Sequence, residues 1–288
     1  MVRQYRALAG VLLLLMSALA LAEDGANYLV SRDIVYGDSN RPDSELQSLD
    51  LYWLDNLKRR PVVIYVHDGA WALGDKSDVH EKPGFFALHD MAFVSMNYRL
   101  RWEASLTDQL EDIGQVIAWV TDNAGQYGID PGRIVLMGHG AGAHLVSLFV
   151  SQPDYLDTGD LDFGNIRAVV SIDSASYDIE ALMENGTYLD KRQHRLIFGE
   201  EARGWRAASP IVHVSGEKQI PPFALLYVPD NQSTTNQTRQ FAPTLRDAGV
   251  DVIMIPGNEK TTETIDEELG SARDAPTLAL IAFLRAAI

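Results

Sequence analysis

Two kinds of stretch alternate along the chain. Short runs of β-branched and aromatic residues are separated by longer segments whose apolar residues recur every three or four positions. This alternation predicts an α/β fold, with a mostly parallel central sheet and helices on both faces. Residues 49–54, LDLYWL, alternate apolar and polar and suit an early edge strand. Residues 61–67, PVVIYVH, and 91–100, MAFVSMNYRL, are near-continuous apolar runs, as expected of strands buried on both sides. Leu106, Leu110, Ile113, Val116, Ile117 and Val120 predict a helix whose other face carries Asp108, Glu111, Asp112 and Gln115, with Gly128 and Pro131 closing the region. A strand over 133–138 runs into a helix over 141–151. Further strands are expected at 166–173, 221–228 and 250–256, and further helices at 238–248 and 275–288. Residues 177–220 are polar and irregular around Trp205 and suggest a small cap inserted over one edge of the sheet. No repeat or linker interrupts the pattern, so residues 23–288 are expected to form a single domain.

The first 22 residues depart from this pattern. Arg3 and Arg6 precede an apolar stretch from Leu8 to Leu19, and Ala20-Leu21-Ala22 supplies a small-x-small cleavage site. This is the make-up of a signal peptide, and the apolar stretch is short for a membrane span. The expected location is therefore secreted or periplasmic. The chain has a net charge of −16, which becomes −18 without those 22 residues and their two arginines. Such a surface repels nucleic acid and anionic lipid, so neither is an expected partner once the signal is removed. There is no cysteine in the 288 residues, which excludes disulfides, thiolate metal ligands and a cysteine nucleophile. N-x-S/T sequons at Asn185, Asn231 and Asn236 matter only in a host that glycosylates.

Three segments could carry chemistry. HDGAW, residues His67, Asp68, Gly69, Ala70 and Trp71, follows a buried strand, and the Gly69 and Ala70 amides could face a developing oxyanion. Gly138-His139-Gly140-Ala141-Gly142 is a strand–turn–helix corner of the kind at which ester-cleaving enzymes hold a serine in G-x-S-x-G, with the Ala141 amide as a second oxyanion donor. The apex here is Gly140, which has no side chain with which to attack. The third is Asp230, just past a strand, where a carboxylate could orient an imidazole.

These segments resemble the α/β-hydrolase fold, and within it an exported esterase and lipase group that includes feruloyl-esterase-like and kynurenine-formamidase-like enzymes. The resemblance rests on SLDLYWL, PVVIYVHDGAW, FVSMNYRL, AASPIVHV, PPFALLYV, FAPTLRDAGVDV and, most specifically, QLEDIGQVIAWVTDNAGQYGIDPGRIVLMGHGAGAHL. It implies a nucleophilic serine at the position of Gly140, an acid at Asp230 and a histidine at the position of Lys260. In this fold the triad runs serine, acid, histidine along the chain. All seven histidines (His67, His80, His89, His139, His144, His194 and His213) precede Asp230, so none lies downstream to serve as the base. Asp68 and Ala70 also stand where the family usually has glycine.

The expectation is a hydrolase-family protein with impaired catalysis that keeps a pocket for a small ester or acyl ligand. The alternative is an active ester hydrolase with an unorthodox site, in which Lys260, Asp230 or Glu259 assists water. His139 is expected to pack, as are His67, His144 and Ser147. No cofactor and no metal are expected, because no helical histidine pair with a third ligand occurs. A distant rival is a dinucleotide fingerprint, Gly138-x-Gly140-x-x-Ala143, with Asp154, Asp157 or Asp160 as the ribose acid.

Overall fold

A computed structural model describes residues 28–37, 44–56, 58–152 and 163–288. The 1–22 segment and Asp154, Asp157 and Asp160 lie outside the described residues. Eight strands form one sheet: β1 (Leu29–Val35), β2 (Ser48–Trp53), β3 (Arg60–Val66), β4 (Ala92–Met96), β5 (Ile129–His139), β6 (Ile166–Ile172), β7 (Phe223–Tyr227) and β8 (Val252–Pro256). Their order is β1-β2-β4-β3-β5-β6-β7-β8. β1 and β2 are antiparallel, as are β2 and β4, and the remaining pairs are parallel. The helices in chain order are α1 (Lys82–Leu88), α2 (Leu106–Tyr127), α3 (Gly140–Ser151), α4 (Ile179–Asn185), α5 (Tyr188–Phe198), α6 (Ala202–Ala207), α7 (Pro210–His213), α8 (Gln232–Asp247), α9 (Thr264–Glu267) and α10 (Ala275–Ala287).

Side-chain alternation along the central strands builds two cores. Val62, Ile64 and Val66 of β3 and Ile134 and Leu136 of β5 face one core with Ile113 and Val116 of α2, Phe149 of α3 and Phe241 of α8. Val63 and Tyr65 of β3 and Val135 and Met137 of β5 face the other, with Phe86 of α1 and Leu280 and Leu284 of α10. These strands bury both faces, which is why they read as continuous apolar runs. Among the described residues no helix is long and apolar enough to cross a membrane.

Two expectations change. Residues 49–54 are not at the sheet edge, because β1 pairs along the outer side of β2. Asp50, which looked solvent-facing, is buried and accepts from Lys76 Nζ at 2.6 Å and Arg32 Nη1 at 3.1 Å. Asp112, assigned to the polar face of α2, is likewise buried, and accepts from Arg99 Nε at 2.9 Å and Gln47 Nε2 at 2.8 Å. An alternating pattern cannot distinguish a solvated acid from one paired inside the protein. The boundaries of α2 follow local rules. Ser105 and Asp108 form a reciprocal capping box, and Gly128 ends the helix in the left-handed region at φ 62°. The cap predicted for 177–220 contains four short helices, α4 to α7. Ile179, Leu182, Met183 and Ala208 form a small core of their own there.

Candidate functional site

The corner after β5 is held by close backbone packing. A Cβ at Gly142 would lie 2.0 Å from the Val66 carbonyl oxygen, and one at Gly138 would lie 2.4 Å from the Gly142 carbonyl carbon. Glycine at these positions lets α3 start hard against the end of β3. The start of the helix therefore sits beside the loop that leaves β3. Gly140, between them, has φ +51°, a conformation costly for most side chains. Strand, reverse turn and helix thus form as the glycine spacing predicts.

The loop leaving β3 is bent sharply. Gly69, Ala70 and Trp71 have φ of 134°, 53° and 62°. Consecutive positive values at non-glycine residues persist only where surrounding contacts impose them. Here the loop amide of Ala72 donates to the Gly69 carbonyl at 3.0 Å and that of Leu73 donates to it at 2.8 Å. The bend turns the amide of Ala70 toward the corner. It does meet the amide of Ala141, but on a carboxylate: Asp68 Oδ1 accepts from Ala141 N at 2.8 Å and from Ala70 N at 3.3 Å. The same carboxylate occupies the space above Gly140, where a Cβ would lie 2.3 Å from Asp68 Cγ. Asp68, expected in the sequence as part of the HDGAW oxyanion segment and as a departure from glycine, therefore sits at the middle of the site. One local signal could have shown this. An Asp two residues before an amide readily forms an Asx turn onto it.

The aromatic and imidazole groups around the corner are mostly committed to packing. Trp71, the last residue of the HDGAW segment that could carry chemistry, is buried, and its Nε1–H donates to His144 Nδ1 at 3.0 Å. His144 Nε2–H donates to the Ala208 carbonyl in the cap at 2.7 Å. Burial lowers the His144 pKa to about 4, with the Ala208 contact partly opposing the shift. His67 is buried, stacks on Tyr98 at 4.5 Å and donates Nδ1–H to the Asp68 carbonyl. Burial lowers its pKa as well. His139 is also buried, and its Nε2 has no hydrogen-bond partner. Ser147 donates to the Ala143 carbonyl at 2.7 Å within its own helix, in keeping with a packing role.

The resemblance implies Asp230 and Lys260 beside the corner; the contacts these two residues make lie elsewhere. Asp230 is exposed. Its neighbour Asn231 is the residue that reaches the loop after β8, donating Nδ2–H to Thr262 Oγ1 at 3.1 Å, while its Oδ1 caps α8. Thr262 in turn donates to Asp173 Oδ2 at 2.7 Å, and Asp173 Oδ1 accepts from Val228 N at 3.0 Å. Asn231, Thr262 and Asp173 thus tie together the turns after β7, β8 and β6. Lys260 instead lies in a groove with Asn258, Arg273 and Asp274, pairing with Asp274 Oδ1 at 2.8 Å and also with Glu268. Burial disfavours its charge, but the hydrogen bonds it donates to Asp274 and Glu268 outweigh this and raise its pKa. A lysine held protonated in this way is no general base. Glu259 is exposed with φ 62°. The loop faces the corner through Glu263, whose pKa is lowered first by the Thr261 hydroxyl and also by the nearby His139.

The BD-FAE family profile matches residues 49–245, more than half of the chain. The chain belongs to the BD-FAE family. This BD-FAE chain is 29% identical over 248 residues to a probable isoprenylcysteine alpha-carbonyl methylesterase, ICMEL1, of Arabidopsis thaliana, covering 81% of the chain and 50% of that protein. It is 31% identical over 236 residues to esterase LipQ of Mycobacterium tuberculosis, covering 75% and 53%. It therefore spans about half the length of these curated relatives. Among solved structures, a truncated carbohydrate esterase from gut microbiota aligns with a TM-score of 0.75 at 19% identity, over 93% of this chain and 99% of that one. Esterase B from Lactobacillus rhamnosis aligns with a TM-score of 0.72, also at 19% identity, over 90% and 87%. The fold is the α/β-hydrolase fold, and the family is carboxylesterase-like. The dinucleotide rival finds no support: the glycine run is the corner of this fold, and the amide at its helix start is already bonded to Asp68.

Proposed function

We propose that this BD-FAE chain does not carry out serine-type ester hydrolysis and that its cleft recognises a small ester or acyl ligand instead. One observation carries the reading. At the corner where the fold presents a nucleophile, residue 140 is glycine at φ +51°, and the space its side chain would use holds another residue's carboxylate. Acyl transfer by the serine route needs an activated hydroxyl, a base and an orienting group acting as a unit. Here the corner offers no hydroxyl, and the turns after β7 and β8 meet through Asn231 and Thr262, neither of which is a base. The ligand class follows from the curated relatives, named as esterases, and from a structural neighbour described as inhibited by a tributyrin phosphonate. A location outside the cytoplasm is part of the same proposal, supported by the amino-terminal charge and apolarity. Against the alternative of an unorthodox hydrolase, Lys260 is held in ion pairs with Asp274 and Glu268, and Asp230 and Glu259 are exposed to solvent.

The test uses the native chain with p-nitrophenyl butyrate and a fluorophosphonate probe. The expected result is no turnover above buffer and no covalent adduct. A probe adduct mapped to any side chain beside Gly140 would overturn the proposal.

A further inference from the structure

Two amides from separate segments, one in the loop after β3 and one at the start of α3, point at a single place, and a side chain of the protein already fills it. Asp68 Oδ1 accepts from both Ala141 N and Ala70 N, and the carboxylate lies 2.3–2.5 Å from where a Cβ on residue 140 would be. An anion held by two backbone N–H groups at a helix start is electrostatically favoured. In an ester-cleaving member of this fold the corresponding amides receive the oxyanion, and the corresponding space holds the serine. Asp68 supplies both, a negative oxygen on the amides and bulk over the corner.

We infer that Asp68 is a built-in occupant of the site, an internal stand-in for the acyl oxygen, which any ligand carbonyl or carboxylate must displace. It follows that the change of Gly140 and the presence of Asp68 are one steric unit. A serine placed at residue 140 meets the carboxylate, and removing the carboxylate both frees the two donors and makes room for the serine. Repair of the nucleophile position alone therefore does not open the site.

This inference rests on reading the cleft as an acyl site, and the two can fail separately. Ester turnover by the native chain defeats the non-hydrolytic reading whatever Asp68 does. The occupant is tested with butyrate as a short carboxylate probe, following the amide resonances of Ala70 and Ala141 in native, Asp68→Gly and Asp68→Asn forms of the full chain. The expected outcome is butyrate binding at least about tenfold tighter in Asp68→Gly than in the native chain, with both resonances moving, because two convergent donors are freed. If Asp68→Gly does not fold, Asp68→Asn carries the test: it keeps the volume, removes the charge, and is expected to bind butyrate more tightly than native. The second arm is thermal unfolding. Gly140→Ser is expected to lower the Tm, and the part of that loss that comes from the carboxylate, beyond the backbone strain at φ +51°, should vanish when Asp68→Gly is added. Equal butyrate affinity in native and substituted forms, or a Gly140→Ser penalty of the same size with and without Asp68, defeats the inference.

Discussion

The corner that ends β5 and the turns that follow β7 and β8 sit at the same end of the sheet but are built to different tolerances. At the corner the constraint is backbone against backbone: Gly142 leaves 2.0 Å between a would-be Cβ and the Val66 carbonyl oxygen. At the turns, the constraint is side chain against side chain. Asp230 is exposed, and Lys260 lies at a rim between Glu268 and Asp274. A framework set by packing cannot drift without unfolding the protein, whereas side chains at an open rim can change identity at little cost in stability. The backbone of the corner can therefore persist while the side chains of the turns change.

The comparison breaks most sharply at Gly142. Gly142→Ala is expected to cost about 4 kcal/mol or more, because the methyl group meets backbone that cannot yield. Urea unfolding measures it, and a cost near zero would mean that the corner is as tolerant as the turns. Next comes the imidazole beneath the corner. The His144 pKa is about 4 in the folded chain against an ordinary 6.5, so the unfolded chain takes up its proton first. Its stability contribution is full above about 6.5 and is lost as pH falls toward about 4, by an amount on the order of 3 kcal/mol. His67 and His194, also lowered by burial, add slope of the same sign. Stability measured from pH 8 to pH 4 should fall accordingly, and His144→Leu should flatten the slope even where it lowers stability throughout.

The turns should respond less. Asn231→Ala removes the cap of α8 and the tie to Thr262, and a loss of about 1 kcal/mol is expected in the same unfolding assay. Lys260→His is expected to lower stability by about 1 kcal/mol, since its partner Glu268 is exposed but its partner Asp274 is buried and loses a charged neighbour. The same variant should show no p-nitrophenyl butyrate turnover, because the imidazole would stand in the groove by Asp274 with no nucleophile to serve. Turnover from this single substitution would mean that the rim and the corner form one working site.

The same contrast explains what could be read in the sequence. β3, β5 and α2 were legible because burial on one or both faces forces a periodicity that the residues display. The corner was legible because Gly138, Gly140 and Gly142 each answer a steric demand. β1 was not, since its polar residues Ser31, Arg32 and Asp33 and a register shift between Ser31 and Ile34 break the alternation. Without β1 the neighbouring strand looked like an edge. The start of α8 was placed late because its first turns, from Gln232, are polar and carry no apolar stripe. In the site, a turn can shift by one or two residues without altering any pattern. The residues that reach one another across these turns are Asn231 and Thr262, each within two positions of Asp230 and Lys260. Asp68 was legible as part of the oxyanion segment but not as its occupant, because the sequence does not show which way a loop with three positive φ values aims a carboxylate.

The Thr262 hydroxyl, bridging Asn231 and Asp173, is the tie among the three loops at the rim. An imidazole in that place would change charge within the range from neutral to mildly acidic, loosening or tightening its partners as it did so. A hydroxyl has no such change to make. The mouth of the cleft is therefore buckled by a group indifferent to moderate acid, while the histidines packed beneath it are not. On acidification the floor should yield before the rim.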